Sequence, residues 1–131
     1  MSKLPESHSV PKWQTITGWV LSCLPLLAFV PSAYFKIAQP GDFLAQWSKD
    51  FPAGTARPIG IVEVLCVVLF LVPRTAVLGG ILVAGYLGGA IATHVSKGET
   101  SFLMPLVIGV VMWGGLFLRE PRLRTLLPTV K

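Results

Sequence analysis

A carboxylate placed inside an apolar helix is where this sequence first offers chemistry. Glu63 lies in the run Gly60-Ile61-Val62-Glu63-Val64-Leu65. A charge in hydrocarbon costs several kcal/mol, so the group must be protonated, paired or turned toward a polar cavity. Arg57, on the same helix, lies about 9 Å along the axis and roughly 240° around it, on the wrong side to serve. Lys36 closes the preceding apolar stretch and His94 closes the following one, so three ionisable groups from three helices fall at one end of any bundle they form. Lys36 can reach down along its aliphatic stem to meet Glu63, and His94 can titrate near neutral pH. Two readings of Lys36, Glu63 and His94 stand side by side. One is an ion pair that locks helices together without turnover; the other is a binding pocket or proton relay. Cys23 and Cys66 fall at mid-span, where they can come close, but neither belongs to a C-x-x-C pair, and a buried Cys usually behaves as a small apolar residue. The chain has 2 Cys and 2 His, too few for a metal cage, and no Gly-rich phosphate loop follows a strand pattern.

The elements that carry these residues read as membrane helices. Of 131 residues, 53% are hydrophobic and only 13% charged, with a mean hydropathy of +0.69. A soluble domain has about 25% charged residues, so this composition argues against a soluble enzyme with its own closed core. Crossing about 30 Å of hydrocarbon takes roughly 20 helical residues. Four apolar stretches, about 13–36, 57–73, 75–95 and 102–119, predict an all-α, polytopic four-transmembrane-helix bundle, with a tail over 1–12 and another over 120–131. The second stretch is the shortest, and it spans only with help from its flanking turns or local thinning of the bilayer. Pro25 and Pro31 should kink the first helix. Pro73-Arg74 makes the second connection a tight turn between antiparallel neighbours, and Pro105 sits in the first turn of the last helix, where its missing N–H costs little. Polar Met1 to Gln14, followed by a full-length apolar stretch, reads as an uncleaved anchor rather than a signal peptide.

Between the first and second spans, Asp42 can cap a short helix on which Phe43, Leu44, Trp47 and Phe51 recur at helical spacing, with Gln46, Lys49 and Asp50 opposite. That pattern predicts an interfacial helix lying on the bilayer or lidding the bundle. Trp13, Tyr34 and Trp113 lie toward span ends, where amphipathic rings favour the headgroup boundary.

Ala76, Gly80, Ala84, Gly88 and Ala92 repeat every four residues on the third span, and Gly79, Gly85 and Gly89 widen the strip. Small residues at that spacing allow close helix approach in lipid, so the ridge predicts packing within the bundle or across a homo-oligomer. A groove for a flat apolar ligand, a quinone or lipid tail, is the alternative. Four spans put both termini on one side with Lys3, Lys12, Arg74, Arg119, Arg122, Arg124 and Lys131; Lys36, Lys49, Arg57 and Lys97 lie on the other. The positive-inside rule then places both termini in the cytoplasm. The net charge of +5 is thus a topology signal, and without a basic, aromatic-interleaved soluble surface it is no nucleic-acid footprint.

Ala33-Tyr34-Phe35-Lys36-Ile37, Gly60-Ile61-Val62-Glu63, Leu71-Val72-Pro73-Arg74-Thr75-Ala76, Tyr86-Leu87-Gly88-Gly89-Ala90 with His94, and Leu118-Arg119-Glu120-Pro121-Arg122, in this order, resemble the DoxX-like family over about residues 17–128. The resemblance implies a small four-helix protein of the bacterial cytoplasmic (inner) membrane, with Lys36, Glu63 and His94 at the family's polar positions. Its members include a subunit of an archaeal thiosulfate-quinone oxidoreductase and membrane proteins linked to redox stress or receptor assembly. Functions that diverse share no single mechanism, and no cysteine motif here supports thiol-disulfide catalysis. Three functions are therefore carried forward. The first is an accessory protein binding a small apolar or lipid-like ligand, or a partner membrane subunit, in the outer half of the bundle. The second is an oxidoreductase component working with a quinone. The third is a small transporter, disfavoured because four short helices enclose little volume and no inverted repeat is apparent.

Overall fold

The computed structural model describes residues 11–126; Lys3 and Lys131 of the charge argument, and most of the 1–12 tail, lie outside the described residues. In chain order the elements are α1 (Lys12–Cys23), α2 (Leu26–Ala38), α3 (Phe43–Trp47), α4 (Ala56–Leu71), α5 (Ala76–Ser96), a 3-10 turn (Thr100–Phe102), α6 (Leu103–Arg119) and α7 (Pro121–Leu126). Every regular element among the described residues is helical, and the protein is an all-α membrane protein. Three stretches are long and apolar enough to cross a bilayer: Lys12–Ala38, Ala76–Ser96 and Thr100–Arg119. At 16 residues, α4 extends only about 24 Å and is the short member of the bundle.

Proline decides how the first stretch is used. Pro25 cannot donate a backbone hydrogen bond, and the helix breaks at Leu24-Pro25 before resuming as α2, which continues through Pro31. The break lets the two halves take different partners: α1 packs on α6, α2 packs on α4, and α5 lies between α4 and α6. Gln39 then ends α2 in a left-handed conformation, its N–H donating to Phe35 O at 3.0 Å.

The core is narrow and apolar, built from Phe29, Phe70, Val83, Leu87, Met112 and Leu116. Its outside is equally apolar, with Leu27, Val30, Leu65, Ile81, Val107 and Val110 all exposed. Such a continuous belt suits hydrocarbon rather than water. On α4 the buried positions are Ala56, Gly60, Glu63, Cys66 and Phe70, one helical face, so Glu63 is presented to the bundle interior together with the core residues.

Several local expectations change. The small-residue strip of α5 divides: Ala76, Gly79 and Gly80 are buried, whereas Ala84, Gly88 and Ala92 are exposed. A Cβ on Gly79 would run into the Phe70 backbone, while one on Gly85, Gly88 or Gly89 would meet nothing within 4 Å. Packing inside the bundle therefore accounts for only the first part of the ridge: each four-residue step turns about 40° past a full turn, so the strip winds off the buried face that Val83 and Leu87 continue. Trp113 is half-buried and donates its Nε1–H to Gly80 O at 3.2 Å, which ties α6 to α5. The connection after α2 holds a helix of five residues, shorter than the pattern 42–51 suggests, and Asp42 makes no side-chain cap. Phe43, Trp47 and Phe51 nonetheless stack in sequence, with ring centroids 5.7 and 4.4 Å apart. Pro121–Leu126, placed in the tail by hydropathy, continues as α7 and buries Leu123 in the core.

Candidate functional site

At the end of the bundle that carries the 39–55 connection, Gly60 sets the site. One turn before Glu63, it lets α2 approach so closely that a Cβ there would lie 2.8 Å from Lys36 Cβ. Lys36 Nζ consequently reaches Glu63 Oε2 at 2.7 Å. The same ammonium donates to Ser32 Oγ and to Tyr86 OH, each at 2.6 Å. Tyr86 OH donates to Glu63 Oε2 at 2.8 Å, and Ser32 Oγ donates to it at 3.3 Å. Three helices thereby converge on one carboxylate. Glu63 is 1% exposed and the Lys36 side chain 13%, so the charges sit away from water but neutralise each other. Charge-assisted bonds of this length are strong, and the network holds all four side chains in place. Arg57 takes no part; its Nε donates to Ile37 O at 3.2 Å and ties the start of α4 to the end of α2.

Two cavities meet at this cluster. One, of about 270 Å³, is bordered by Phe29, Ser32, Glu63, Tyr86, Leu87 and Ile108. The other, of about 440 Å³, lies between Trp47 and Phe51 on one side and Gly85, Gly89 and Thr93 of α5 on the other. Lys36, Tyr86, Ala90 and His94 border both. The aromatic connection is held over the larger cavity by Lys97, which pairs with Asp50 Oδ2 at 2.7 Å and lies 5.7 Å from the Phe51 ring centre. Trp47 Nε1 adds a bond to Thr55 Oγ1 at 2.9 Å.

His94 is brought to the rim but not into the network. Its Nδ1 pairs with Glu99 Oε2 at 2.7 Å, because Glu99 follows one short turn beyond the end of α5. Cys23 is exposed and Cys66 buried, and both thiols are free. Ser32 and Tyr86 are members of the site that the sequence argument did not name. Ser32 was findable, standing four residues before Lys36 on the same helix face. For Tyr86 the sequence holds only its place in the 86–90 motif, since a tyrosine amid apolar residues resembles any boundary aromatic.

A second polar centre lies at the opposite end, where the sequence suggested no buried ionisable group. Arg119 donates through Nε to Ser22 Oγ at 3.0 Å and through a terminal nitrogen to Phe70 O. Its guanidinium carbon stands 4.3 Å from the Trp19 ring centre and 4.7 Å from that of Phe70. Beside it Gly18 and Gly115 bring α1 and α6 together; a Cβ on either would fall 2.8 Å or less from the other's carbonyl oxygen. This end is filled, and the open end is where a ligand has room.

The comparison with family models is consistent with this architecture. The DoxX-like family model matches residues 20–115, and the chain belongs to that family. No curated protein and no solved structure matches it.

Proposed function

We propose that this member of the DoxX-like family binds a small lipid-soluble molecule at the open end of its bundle, as an accessory rather than a self-sufficient catalyst. The observation that carries the reading is the buried Lys36–Glu63–Tyr86–Ser32 network bordering two largely apolar cavities. A purely structural ion pair needs no adjoining space, whereas ligand sites combine apolar walls with a few fixed polar groups in volumes of about 300 Å³ upward. In this reading the 440 Å³ cavity takes the apolar body of the molecule and Lys36, Tyr86 and His94 stand at its polar end. Four spans, both termini in the cytoplasm and the bacterial inner membrane complete the reading; the cation bias of the sequence supports the orientation. The unfilled half of the α5 strip, continuous with an apolar groove of about 300 Å³ lined by Gly88, Gly109 and Val110, supports a lipid tail, a second copy or a partner subunit as neighbour.

A quinone-linked oxidoreductase component is the second reading, favoured by the slot between Trp47 and Phe51 and the side-chain-free Gly85 and Gly89. One experiment separates the two. Protein purified from its membrane in mild detergent is extracted and the co-purifying small molecules identified by mass spectrometry, beside Gly89→Trp, which fills the larger cavity. A stoichiometric apolar compound present in wild type and lost in Gly89→Trp is the expected result. A reducible quinone as that compound selects the second reading, and identical extracts from the two proteins overturn both.

A further inference from the structure

The hydrogens of the buried network can be followed one by one. An ammonium has three to donate, and those of Lys36 go to Ser32 Oγ, Glu63 Oε2 and Tyr86 OH. The hydroxyl hydrogens of Ser32 and Tyr86 both go to Glu63 Oε2. Every donor of the cluster is thus committed, and every bond to the carboxylate ends on one oxygen. Glu63 Oε1 accepts nothing from the described residues. Among those residues no fully buried side-chain nitrogen or oxygen lacks a partner, so Oε1 is not sealed in, although Glu63 as a whole is only 1% exposed. The space Glu63 borders is the 270 Å³ cavity, whose other walls include Ala28, Phe29, Leu87 and Ile108. At its rim the Nδ1 of His94 is engaged by the Glu99 carboxylate at 2.7 Å.

Resting on the reading of this end as a ligand site, we infer that the smaller cavity takes a neutral apolar molecule carrying a hydroxyl, an alcohol, phenol or hydroquinol, whose O–H donates to Glu63 Oε1. A carbonyl alone finds no free donor in the Lys36–Glu63–Tyr86–Ser32 cluster. A carboxylate or phosphate would bring a like charge against Glu63. An ammonium would leave one positive charge unneutralised in an apolar enclosure, since Lys36 already balances Glu63 at 2.7 Å. Only a neutral donor completes the carboxylate without disturbing the network.

The test uses full-length protein in detergent and three probes of one shape: 2-naphthol, 2-methoxynaphthalene, which lacks only the donor, and 2-naphthoate. Binding is measured by calorimetry, and the specific part is that abolished by Ala28→Phe, which blocks the smaller cavity. The hydrogen bond to a charged acceptor predicts 2-naphthol tighter than its methyl ether by about tenfold or more, with 2-naphthoate weakest. Parity of naphthol and ether, or preference for naphthoate, with Ala28→Phe still blocking, overturns the hydroxyl and leaves the site standing. Binding of none of the three above the Ala28→Phe background overturns the smaller cavity as a ligand site, and the inference with it.

Discussion

The two ends of this bundle solve the same problem in opposite ways. At the end holding α7, backbones touch: Gly18 lies against Gly115, Gly79 against Phe70, and the Arg119 guanidinium is sandwiched between rings with its hydrogens on Ser22 and Phe70. At the other end α2 and α4 still touch at Gly60, but Gly85 and Gly89 of α5 face no other helix, and a single ion pair with two hydroxyl partners borders two cavities. Both centres combine a cation with aromatic and hydroxyl groups. The difference lies in the neighbours, since glycines against backbone exclude space while glycines facing nothing create it. A polar group in a membrane bundle therefore signals function only together with the room around it.

The largest effect should come from splitting the ion pair. Glu63→Leu or Lys36→Met alone leaves a buried charge without its partner and should cost about 3–5 kcal/mol. The double variant should recover part of that loss, measured as thermal unfolding in detergent. Additive losses would mean that the pair is not coupled, and the contrast between the two ends would lose its open-end half.

Next comes the glycine comparison. Gly115→Ala pushes a methyl into the α1 backbone and should destabilise by about 1–3 kcal/mol. Gly88→Ala meets nothing within the chain and should be neutral or stabilising by up to about 1 kcal/mol through helix propensity. Gly88→Leu should leave stability unchanged if that strip faces lipid. A loss of stability together with a smaller particle on gel filtration would show that the open half of the ridge is an interface between copies.

Arg119→Lys keeps the charge but loses the planar group that stacks on Trp19 and Phe70. A loss of about 1–2 kcal/mol in thermal stability is expected, with no change in naphthol binding at the far end. A change in binding of the same proportion would show that the ends are not independent.

The smallest effect concerns Glu120. The Arg122 side chain, 2.8 Å away, holds its carboxyl below the usual range. The group is then more acidic folded than unfolded, so its contribution is present above the unfolded value and is lost as pH falls through the folded one. Protection of the α7 amides, taken relative to their intrinsic exchange rates, should fall as pH drops below the usual carboxylate range, and Glu120→Gln should abolish that pH dependence. Exchange that is already fast in wild type at neutral pH would show that this contact does not hold α7.

Much of this protein follows from its sequence alone. Apolar run lengths and the scarcity of charge determine a membrane-embedded, all-helical chain, because burial of backbone in lipid admits few alternatives. Glu63 declares itself as a group needing company, since its position in an apolar run is visible without coordinates, and Lys36 emerges as a candidate partner by connectivity. Tertiary structure decides what remains. Each residue turns a helix face by about 100°, so small differences in rotation and tilt select Tyr86 and Ser32 as partners and leave His94 to Glu99. The break at Pro25 sends α1 to α6 and α2 to α4, a choice no linear pattern contains. A repeat as regular as Ala76, Gly80, Ala84, Gly88 and Ala92 divides for the same reason. Spacing along one helix describes a smooth face, but which part of it lies against another helix depends on how α5 is rotated in the bundle.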